Sequence, residues 1–556
     1  MRGLGTRTSA LERLAATRTG DPLDLLVVGG GITGAGIALD AASRGLSVGL
    51  VERLDFASGT SSKSSKLVHG GLRYLEQREF GLMREAATER DLLRRLAPHL
   101  VEPIPFVLPV SHRSARAKFG VGLWAYDALA SFRNLKFHKH LDGPEVEQLM
   151  PALPAGKVRG GYVFYDCKTD DVRLVMEVLI QAVRYGATAV NHAAVRDIEP
   201  GEDCCTVRVE DAPSSELFEI KARRVIAAGG VWTDRIEQLT KVDAPPRLRP
   251  SKGIHVLFDR ASFPIGTAAA VIPDADRRRM LFVIPWHDAV LVGTTDTAYE
   301  GSLDHPTVEA KDRAYCLTSV NKLYQLELTE DDIVGAYAGL RPLIAAKKGE
   351  TADLSRKHAV YDIAPGVIGI TGGKLTTYRR MAADAVDRAA ADLGHHGKSR
   401  TRWIRLGSSD VDRLRVALTR RSNRLGMPAR TVEHLLRSYG DRALDVLDVA
   451  EQGATQPLAQ GQAPIVAEAL YCARAEMALD LGDILSRRTR LALTDGDAGL
   501  GAGAVAAETL ASELGWSPQE RSRQEHAHRL SIEHERAMPL HPAPGNNNAT
   551  STSRAG

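Results

Sequence analysis

The run Leu25-Leu26-Val27-Val28-Gly29-Gly30-Gly31-Ile32-Thr33-Gly34 decides the fold. Four apolar residues make a short strand and break into a glycine turn, which opens onto a helix face from Ile37 to Ala42. A second apolar stretch, Ser47 to Glu52, follows directly, so the order is strand, helix, strand. Gly29, Gly31 and Gly34 form G-x-G-x-x-G, and Glu52 stands 18 residues past Gly34 at the end of the second strand. The first glycine permits the tight turn, the second lets a pyrophosphate approach the backbone, and the third lets the helix pack on the strand. Ile32 and Thr33 stand at the helix mouth, where N–H groups and dipole face the anion. Glu52 would accept hydrogen bonds from a ribose hydroxyl, which favours an unphosphorylated adenosine half. The pattern predicts a Rossmann-like α/β unit that holds a dinucleotide.

Outward from this unit, a Ser/Gly-rich loop spans Ala57 to Ser65, and a helix from about Gly81 to Leu96 is stopped by Pro98. The middle of the chain changes texture: Pro103, Pro105, Pro109, Pro144, Pro151 and Pro154, an alternation at Val207 and Val209, and a run from Leu281 to Ile284 suggest a strand-rich insertion. Apolar runs return at Arg224 to Ala228 and Gly366 to Ile370, ending in Gly229-Gly230 and Gly372-Gly373. The first fingerprint does not separate NAD from FAD. The two later strand ends lean to a flavin, because they offer further places for backbone to approach a flat group. Lys374-Leu375-Thr376-Thr377-Tyr378 then opens a helix whose N-terminus suits the N1/C2 edge of a reduced flavin.

From Thr401 onward the composition is helical, with nine Arg against three acids between Arg402 and Arg437. Leu414, Leu418 and Leu425 recur at helical spacing, so this stretch reads as a helix core face ringed by solvated arginines rather than as an RNA- or membrane-binding element. A chain of 556 residues exceeds the roughly 100 to 200 of one domain. With 72 basic against 69 acidic side chains the net charge is +3, which excludes a globally basic nucleic-acid binder. Five cysteines give neither a paired framework nor CxxC, and adjacent Cys204-Cys205 reads as two small apolar residues; a reducing, cytoplasmic setting is expected. The 15 residues from Leu25 to Leu39 are uncharged but glycine-rich, and a spanning helix needs about 20 apolar ones. The first residues carry Arg2, Arg7, Arg13 and Arg18 and have a faint transit-peptide flavour, but are read as a flexible or helical extension that contributes little. No metal constellation is seen.

Thr60-Ser61-Ser62-Lys63-Ser64-Ser65-Lys66-Leu67-Val68-His69-Gly70-Gly71-Leu72-Arg73-Tyr74-Leu75 closely resembles the FAD-dependent, aerobic glycerol-3-phosphate dehydrogenases. It is joined in order by Lys252-Gly253-Ile254-His255, Gly293-Thr294-Thr295-Asp296, Gly339-Leu340-Arg341-Pro342-Leu343 and Thr371 to Tyr378. The resemblance runs from about residue 23 to 400 and, more loosely, to Arg487-Arg488-Thr489. It implies a flavoprotein that oxidises sn-glycerol 3-phosphate to dihydroxyacetone phosphate and passes electrons to membrane quinone. The implied organisation is a Rossmann-like FAD-binding domain (23–97, 160–240 and 355–400), an inserted mixed-sheet substrate domain (98–159 and 241–354) and a C-terminal helical domain (401–525). An N-terminal extension (1–22) and a mostly disordered tail (526–556) flank these. The implied FAD contacts are Gly29, Gly31, Ile32, Thr33, Gly34, Glu52, Ser61, Ser62, Ser64, Ser65, Lys66, Leu67, Gly70, Gly229, Gly372, Gly373, Leu375 and Thr376. The calcium loop of mitochondrial relatives is absent, which points to a bacterial-type enzyme, peripheral on the cytoplasmic face of an anionic membrane. A homodimer is left open.

A phosphorylated substrate needs fixed cations, and Arg73, Arg341 and Lys374 lie in the three glycine-flanked motifs, with Tyr74 beside the first. Oxidising a secondary alcohol requires a base near neutral pKa for the C2 hydroxyl proton, which points to histidine. His69 is favoured as base or alkoxide partner and His255 as substrate contact, an assignment that can be exchanged. Arg341 and Lys374 would hold the phosphate and stabilise developing oxyanion charge. Two rivals remain: a glycerol-3-phosphate oxidase that reoxidises its flavin with O2, and an amine or amino-acid oxidase of the same superfamily. The first is disfavoured because only 28 residues separate Leu343 from Gly372, where such oxidases usually carry an extra segment.

Overall fold

The computed structural model describes residues 1–71, 79–110, 119–125, 127, 136–154, 156, 158–243, 245–275, 279–345, 357–408 and 410–537. Arg73 and Tyr74 lie outside the described residues.

The strand Leu23–Val28 is buried from Leu25 onward and sits inside an eight-stranded sheet. It runs parallel to Val48–Val51 on one side and to Glu216–Ala227 on the other. Beyond these lie Thr188–Val190 and Val367–Gly372, also parallel, with His358–Ala364 closing one edge antiparallel. A parallel core buried on both faces explains why these strands read as short unbroken apolar runs. The helix Ile32–Ser43 packs against both Asp171–Arg184 and Tyr378–Asp392. Val207 and Val209 fall on Cys205–Asp211, an antiparallel arm of this same sheet.

A second, ten-stranded mixed sheet forms the inserted domain. Its centre is antiparallel: Ser251–Asp259 pairs with Ala289–Gly293 and with Ile333–Arg341, and Glu102–Val110 pairs with Gly160–Lys168. Glu102–Val110 runs parallel to Ala269–Pro273. The expected boundary at residue 160 is therefore displaced, since Gly160–Lys168 pairs along its whole length within the second sheet, and the nucleotide domain resumes near Asp171. Leu67–Val68 also pairs into this sheet.

The helical domain has its own core, with Leu418, Leu435, Leu447, Tyr471 and Leu510 fully buried. Arg415, Arg421 and Arg437, three of the nine arginines in that stretch, are ion-paired to carboxylates. Two expectations are corrected. The helix Pro518–Arg536, capped by Ser517, runs well past residue 525 because Ile532 and Arg536 are buried, and the Glu535 carbonyl accepts from the Val308 N–H at 3.1 Å. The N-terminal extension is a strap: the helix Arg7–Ala15 buries Ala10 and Leu14, Arg2 bonds Asp441 and Asp445 at 2.7 and 2.8 Å, and Arg7 bonds the Asn191 carbonyl at 2.9 Å. Their arginines find partners hundreds of residues away, which composition could not show.

The helical domain joins the nucleotide domain through buried charge. Arg173 holds Glu476 at 2.8 and 2.9 Å, Arg442 holds Glu177 at 2.7 and 2.8 Å, and Arg488 holds Asp55 at 2.7 and 2.9 Å. Arg490 reaches Asp170 at 2.9 and 3.0 Å and also Asp171.

Candidate active site

A cavity of about 340 Å³ runs from the first glycine turn to the second sheet. Gly29, Gly31, Ile32, Thr33 and Glu52 line it together with Gly229, Gly372, Gly373, Lys374, Leu375 and Pro342, and Ser61 and Ser64 also face it. Gly29 adopts φ +118°, which L side chains rarely adopt. A Cβ on Gly34 would lie 1.8 Å from the Gly29 carbonyl oxygen, so the helix rests on the turn with no room for a side chain. Gly31, the N-cap of Ile32–Ser43, brings no side-chain acceptor of its own, and the first N–H of the helix, that of Ile32, is taken by Ser61 Oγ at 2.9 Å, which leaves the N–H groups that follow it for an anion. Glu52 is oriented by the N–H groups of Gly30 and Leu54, at 2.6 and 2.9 Å, and burial pushes its carboxyl up against the pull of those bonds. This cradle fits a dinucleotide: backbone for the pyrophosphate and a carboxylate for the ribose.

The Ser-rich loop buckles the two sheets together. Ser61 Oγ accepts from the Ile32 N–H at 2.9 Å, Thr60 Oγ1 donates to the Leu340 carbonyl at 2.7 Å, and Tyr337 donates its hydroxyl to the Ser64 carbonyl at 2.6 Å. Ser64 Oγ donates to Asp171 at 2.7 Å. Ser62 turns back onto the Gly59 carbonyl, and Leu67 is buried in the second sheet, so neither lines the cavity. The Lys66 side chain also points elsewhere. It is fully buried against Asp171 at 2.8 Å, and burial lowers its pKa to about 8 while Asp171 opposes the shift. Lys66 thus braces the loop from beneath. Gly70 donates its N–H to Asp166 at 2.9 Å, a carboxylate held by Arg90 at 2.6 Å, and the His69 N–H donates to Thr376 Oγ1 at 3.2 Å.

On the second sheet the quoted motifs assemble around one guanidinium. Arg341 lies over Gly253, where a Cβ would meet Nη2 at 2.2 Å. Its Nη2 donates to Thr294 Oγ1 at 2.8 Å and the Thr295 carbonyl at 3.0 Å, and its Nη1 to Asp296 at 3.3 Å and Ser251 Oγ at 3.4 Å. The sequence marked Gly293 to Asp296 but gave that motif no task; here it seats Arg341. His255 lies two residues along from Gly253, stacked on Tyr337 at 5.0 Å with Nε2 2.9 Å from Ser65 Oγ. Burial, then the Lys66 and Arg341 cations, hold its pKa well below the usual histidine value, so the ring is neutral. Lys374 follows two glycines at φ +80° and +75° and lines both the main cavity and an adjoining hollow bounded by Phe80, Lys357 and His358.

Some lining residues carried no sequence signal. Ala193 and Val195 come from the antiparallel arm, and Trp232 and Arg235 follow the second glycine turn. Asp304 gathers three of the lining residues, Arg53, Arg235 and Trp232 (through Nε1), at 2.6, 2.6 and 2.9 Å. Among the described residues, one grouping has metal-donor spacing, Asp55, His192 and Asp483, but Arg487 and Arg488 already pair with Asp55. No described helix is long and apolar enough to cross a membrane.

The glycine cradle on a parallel sheet, with Lys374 on the cavity wall and Arg341 seated on the mixed sheet next to Pro342, suits a nucleotide-dependent oxidoreductase. The FAD dependent oxidoreductase family matches residues 24–379, and the C-terminal domain of alpha-glycerophosphate oxidase matches residues 399–521. A glycerol-3-phosphate dehydrogenase of Mycobacterium leprae is 38% identical over 536 residues, covering 95% of this chain and 90% of that protein. The aerobic glycerol-3-phosphate dehydrogenase of Bacillus subtilis is 35% identical, covering 86% and 89%. A solved glycerol-3-phosphate dehydrogenase from Bacillus halodurans, complexed with FAD, superposes with TM-score 0.79 at 29% identity over 96% of this chain and 98% of that one. The chain belongs to the glycerol-3-phosphate dehydrogenase family of FAD-dependent oxidoreductases, and its cofactor is FAD.

Proposed function

We propose that the protein oxidises sn-glycerol 3-phosphate to dihydroxyacetone phosphate and delivers the electrons to a membrane quinone. Arg341 carries this reading. Its guanidinium is fixed by four oxygens and remains 26% exposed, next in sequence to Pro342 on the cavity wall. A planar fork held in place suits a phosphate dianion, because little entropy is lost when the anion arrives. Lys374, on the nucleotide side of the same cavity, supplies a second cation for the phosphate or for developing alkoxide charge.

Bound FAD supplies the hydride acceptor. As the C2 hydrogen leaves with its electron pair, the hydroxyl proton must go to a base, and His69 is the better placed of the two histidines for that task. His69 is half-buried on a segment anchored to Thr376. His255 is held neutral by burial and two nearby cations, which makes it a weak base and suits it to a hydrogen-bonding contact. Arg73 and Tyr74 complete the proposed substrate set by family resemblance. The dehydrogenase relatives and the short 28-residue connection from Leu343 to Gly372 favour quinone over O2 as acceptor. Peroxide release matching substrate consumption would reverse that choice.

Replacing Arg341 by Ala should lower kcat/KM by about 10- to 100-fold, mainly through KM, while the purified protein keeps its yellow flavin spectrum. Unchanged kinetics would remove Arg341 from the site.

A further inference from the structure

No described residue of the helical domain lines the main cavity, yet Arg490 stands one carboxylate away from Ser64, which does. Arg490 precedes the short helix Leu491–Thr494 and has a left-handed backbone at φ +66°. Residues with side chains rarely adopt that conformation, and it persists where the surroundings fix it. Here the guanidinium supplies the hold. Nε and Nη2 donate to the two oxygens of Asp170 at 3.0 and 2.9 Å, Nη2 also meets Asp171, and Nη1 donates to the Ser486 carbonyl at 3.1 Å.

Asp171 is the shared partner. It opens the helix Asp171–Arg184, is fully buried, and also takes Lys66 Nζ at 2.8 and 2.9 Å, Ser64 Oγ at 2.7 Å and the Ser64 N–H at 3.2 Å. Lys66 Nζ donates in addition to the Ser62 carbonyl, and the Lys66 backbone is itself left-handed at φ +57°. From this base the loop 60–66 makes two contacts with the site. Ser61 accepts from the Ile32 N–H at the mouth of the helix Ile32–Ser43, and Ser65 Oγ lies 2.9 Å from His255 Nε2. The Lys66 cation lies 4.7 Å over the Tyr337 ring, on which the His255 ring also stacks. At another point of the loop Lys63 pairs with Glu535, again from the helix Pro518–Arg536. The charges balance as two cations against two carboxylates. Without Arg490, Asp170 and Asp171 would share Lys66, with His287 Nε2 3.7 Å from Asp170, and the loop would lose its fixed base.

We propose that Arg490 is a positioning residue for substrate oxidation: from the helical domain it fixes Asp171, and through Asp171 the loop 60–66 that sets Ser65 against His255 and Ser61 against the helix Ile32–Ser43. The proposal rests on the reading that glycerol 3-phosphate is oxidised at this site. Arg442 offers the contrast. It holds Glu177, six residues further along the same helix, and Glu177 in turn meets His99 rather than the loop.

The test compares the FAD-loaded wild type with Arg490→Met, Arg490→Lys and Arg442→Ala. Amide hydrogen exchange is followed by mass spectrometry over residues 60–66, and flavin reduction by glycerol 3-phosphate without oxygen is followed by absorbance. In Arg490→Met the loop amides should exchange at least about tenfold faster. The limiting rate of flavin reduction should fall at least about tenfold, because a misplaced contact slows the chemical step. The half-saturating concentration should move by no more than about threefold, since Arg341 is seated by groups that Arg490 does not touch. Arg490→Lys keeps the charge without the planar fork, and should recover part of both losses. Arg442→Ala, once folded and loaded, should leave loop exchange and limiting rate within about twofold of the wild type. Should Arg490→Met come without flavin, Arg490→Lys is read in its place, with both changes expected at about threefold. An unchanged limiting rate in the variant read, or loop exchange that Arg442→Ala raises equally, would overturn the proposal. A wild-type flavin that glycerol 3-phosphate does not reduce would strike the substrate reading instead, and the exchange comparison would still decide whether Arg490 sets the loop.

Discussion

The nucleotide cavity and the joint to the helical domain are built by opposite means. In the cavity, side chains are left out: Gly34 has a carbonyl oxygen where its Cβ would be, and Gly29 takes a backbone conformation closed to other residues. At the joint, the bulkiest charged side chains are put in: Arg173, Arg442 and Arg488 are each at most 1% exposed, and each holds a carboxylate with two hydrogen bonds. A missing side chain costs little and admits a ligand. A buried charge costs much to desolvate, and its partner must be present for the fold to tolerate it. The cradle should therefore fail on gaining atoms, and the joint on losing them.

The largest effect is expected at Gly34. Gly34→Val places atoms on the Gly29 carbonyl, which cannot retreat without moving the strand, so the purified protein should lack FAD or fail to fold. Retention of flavin with an unchanged spectrum would show that the helix does not rest on the turn as described. At the joint, Arg442→Ala leaves Glu177 buried and unpaired by its guanidinium, and should cost about 3 to 5 kcal/mol in denaturant unfolding. Replacing both Arg442 and Glu177 by apolar residues should recover much of that loss, whereas equal losses in the single and double variants would deny the pairing.

This contrast also explains what could be read in advance. The cradle was legible because its signal is local: Gly29, Gly31, Gly34 and Glu52 fall within 24 residues. The substrate-side motifs were recognisable as strings, but the seating of Arg341 by Thr294, Thr295, Asp296 and Ser251 depends on strand register that no spacing reveals. Lys66 stood in the most recognisable string of the chain and still faces away from the cavity, because Asp171 waits beneath it. The joint was invisible. Arg442 and Glu177 lie 265 positions apart and Arg488 and Asp55 433 apart, and each arginine by itself reads as surface. The same blindness made the N-terminal strap and the last turns of Pro518–Arg536 look dispensable.

A smaller, pH-dependent effect belongs to the joint. Burial pushes His192 down, but Asp483 at 3.1 Å, with Asp55 and Asp480 nearby, more than offsets this and raises its pKa to about 8. The stabilisation from this pair is complete below the unfolded value near 6.5 and is lost as pH rises through about 8. Asp480, raised from 3.8 to about 7 by burial and by the Asp483 charge, contributes with the same sign, its share being lost as pH rises from about 4 through 7. Stability should fall on the order of 1 kcal/mol between about pH 6 and 8.5, and His192→Phe should flatten that slope. A slope that survives the substitution intact would place the titration elsewhere.

The central claim is that the FAD cradle and the seated Arg341 serve one substrate, sn-glycerol 3-phosphate. It is tested most directly by mixing the FAD-loaded protein with that compound in the absence of oxygen and following the yellow flavin absorbance. The wild type should bleach promptly, and Arg341→Ala, with its flavin still bound, should bleach only slowly at the same concentration. A wild-type flavin that stays oxidised with glycerol 3-phosphate, or that is reduced by an amino acid instead, would contradict the account.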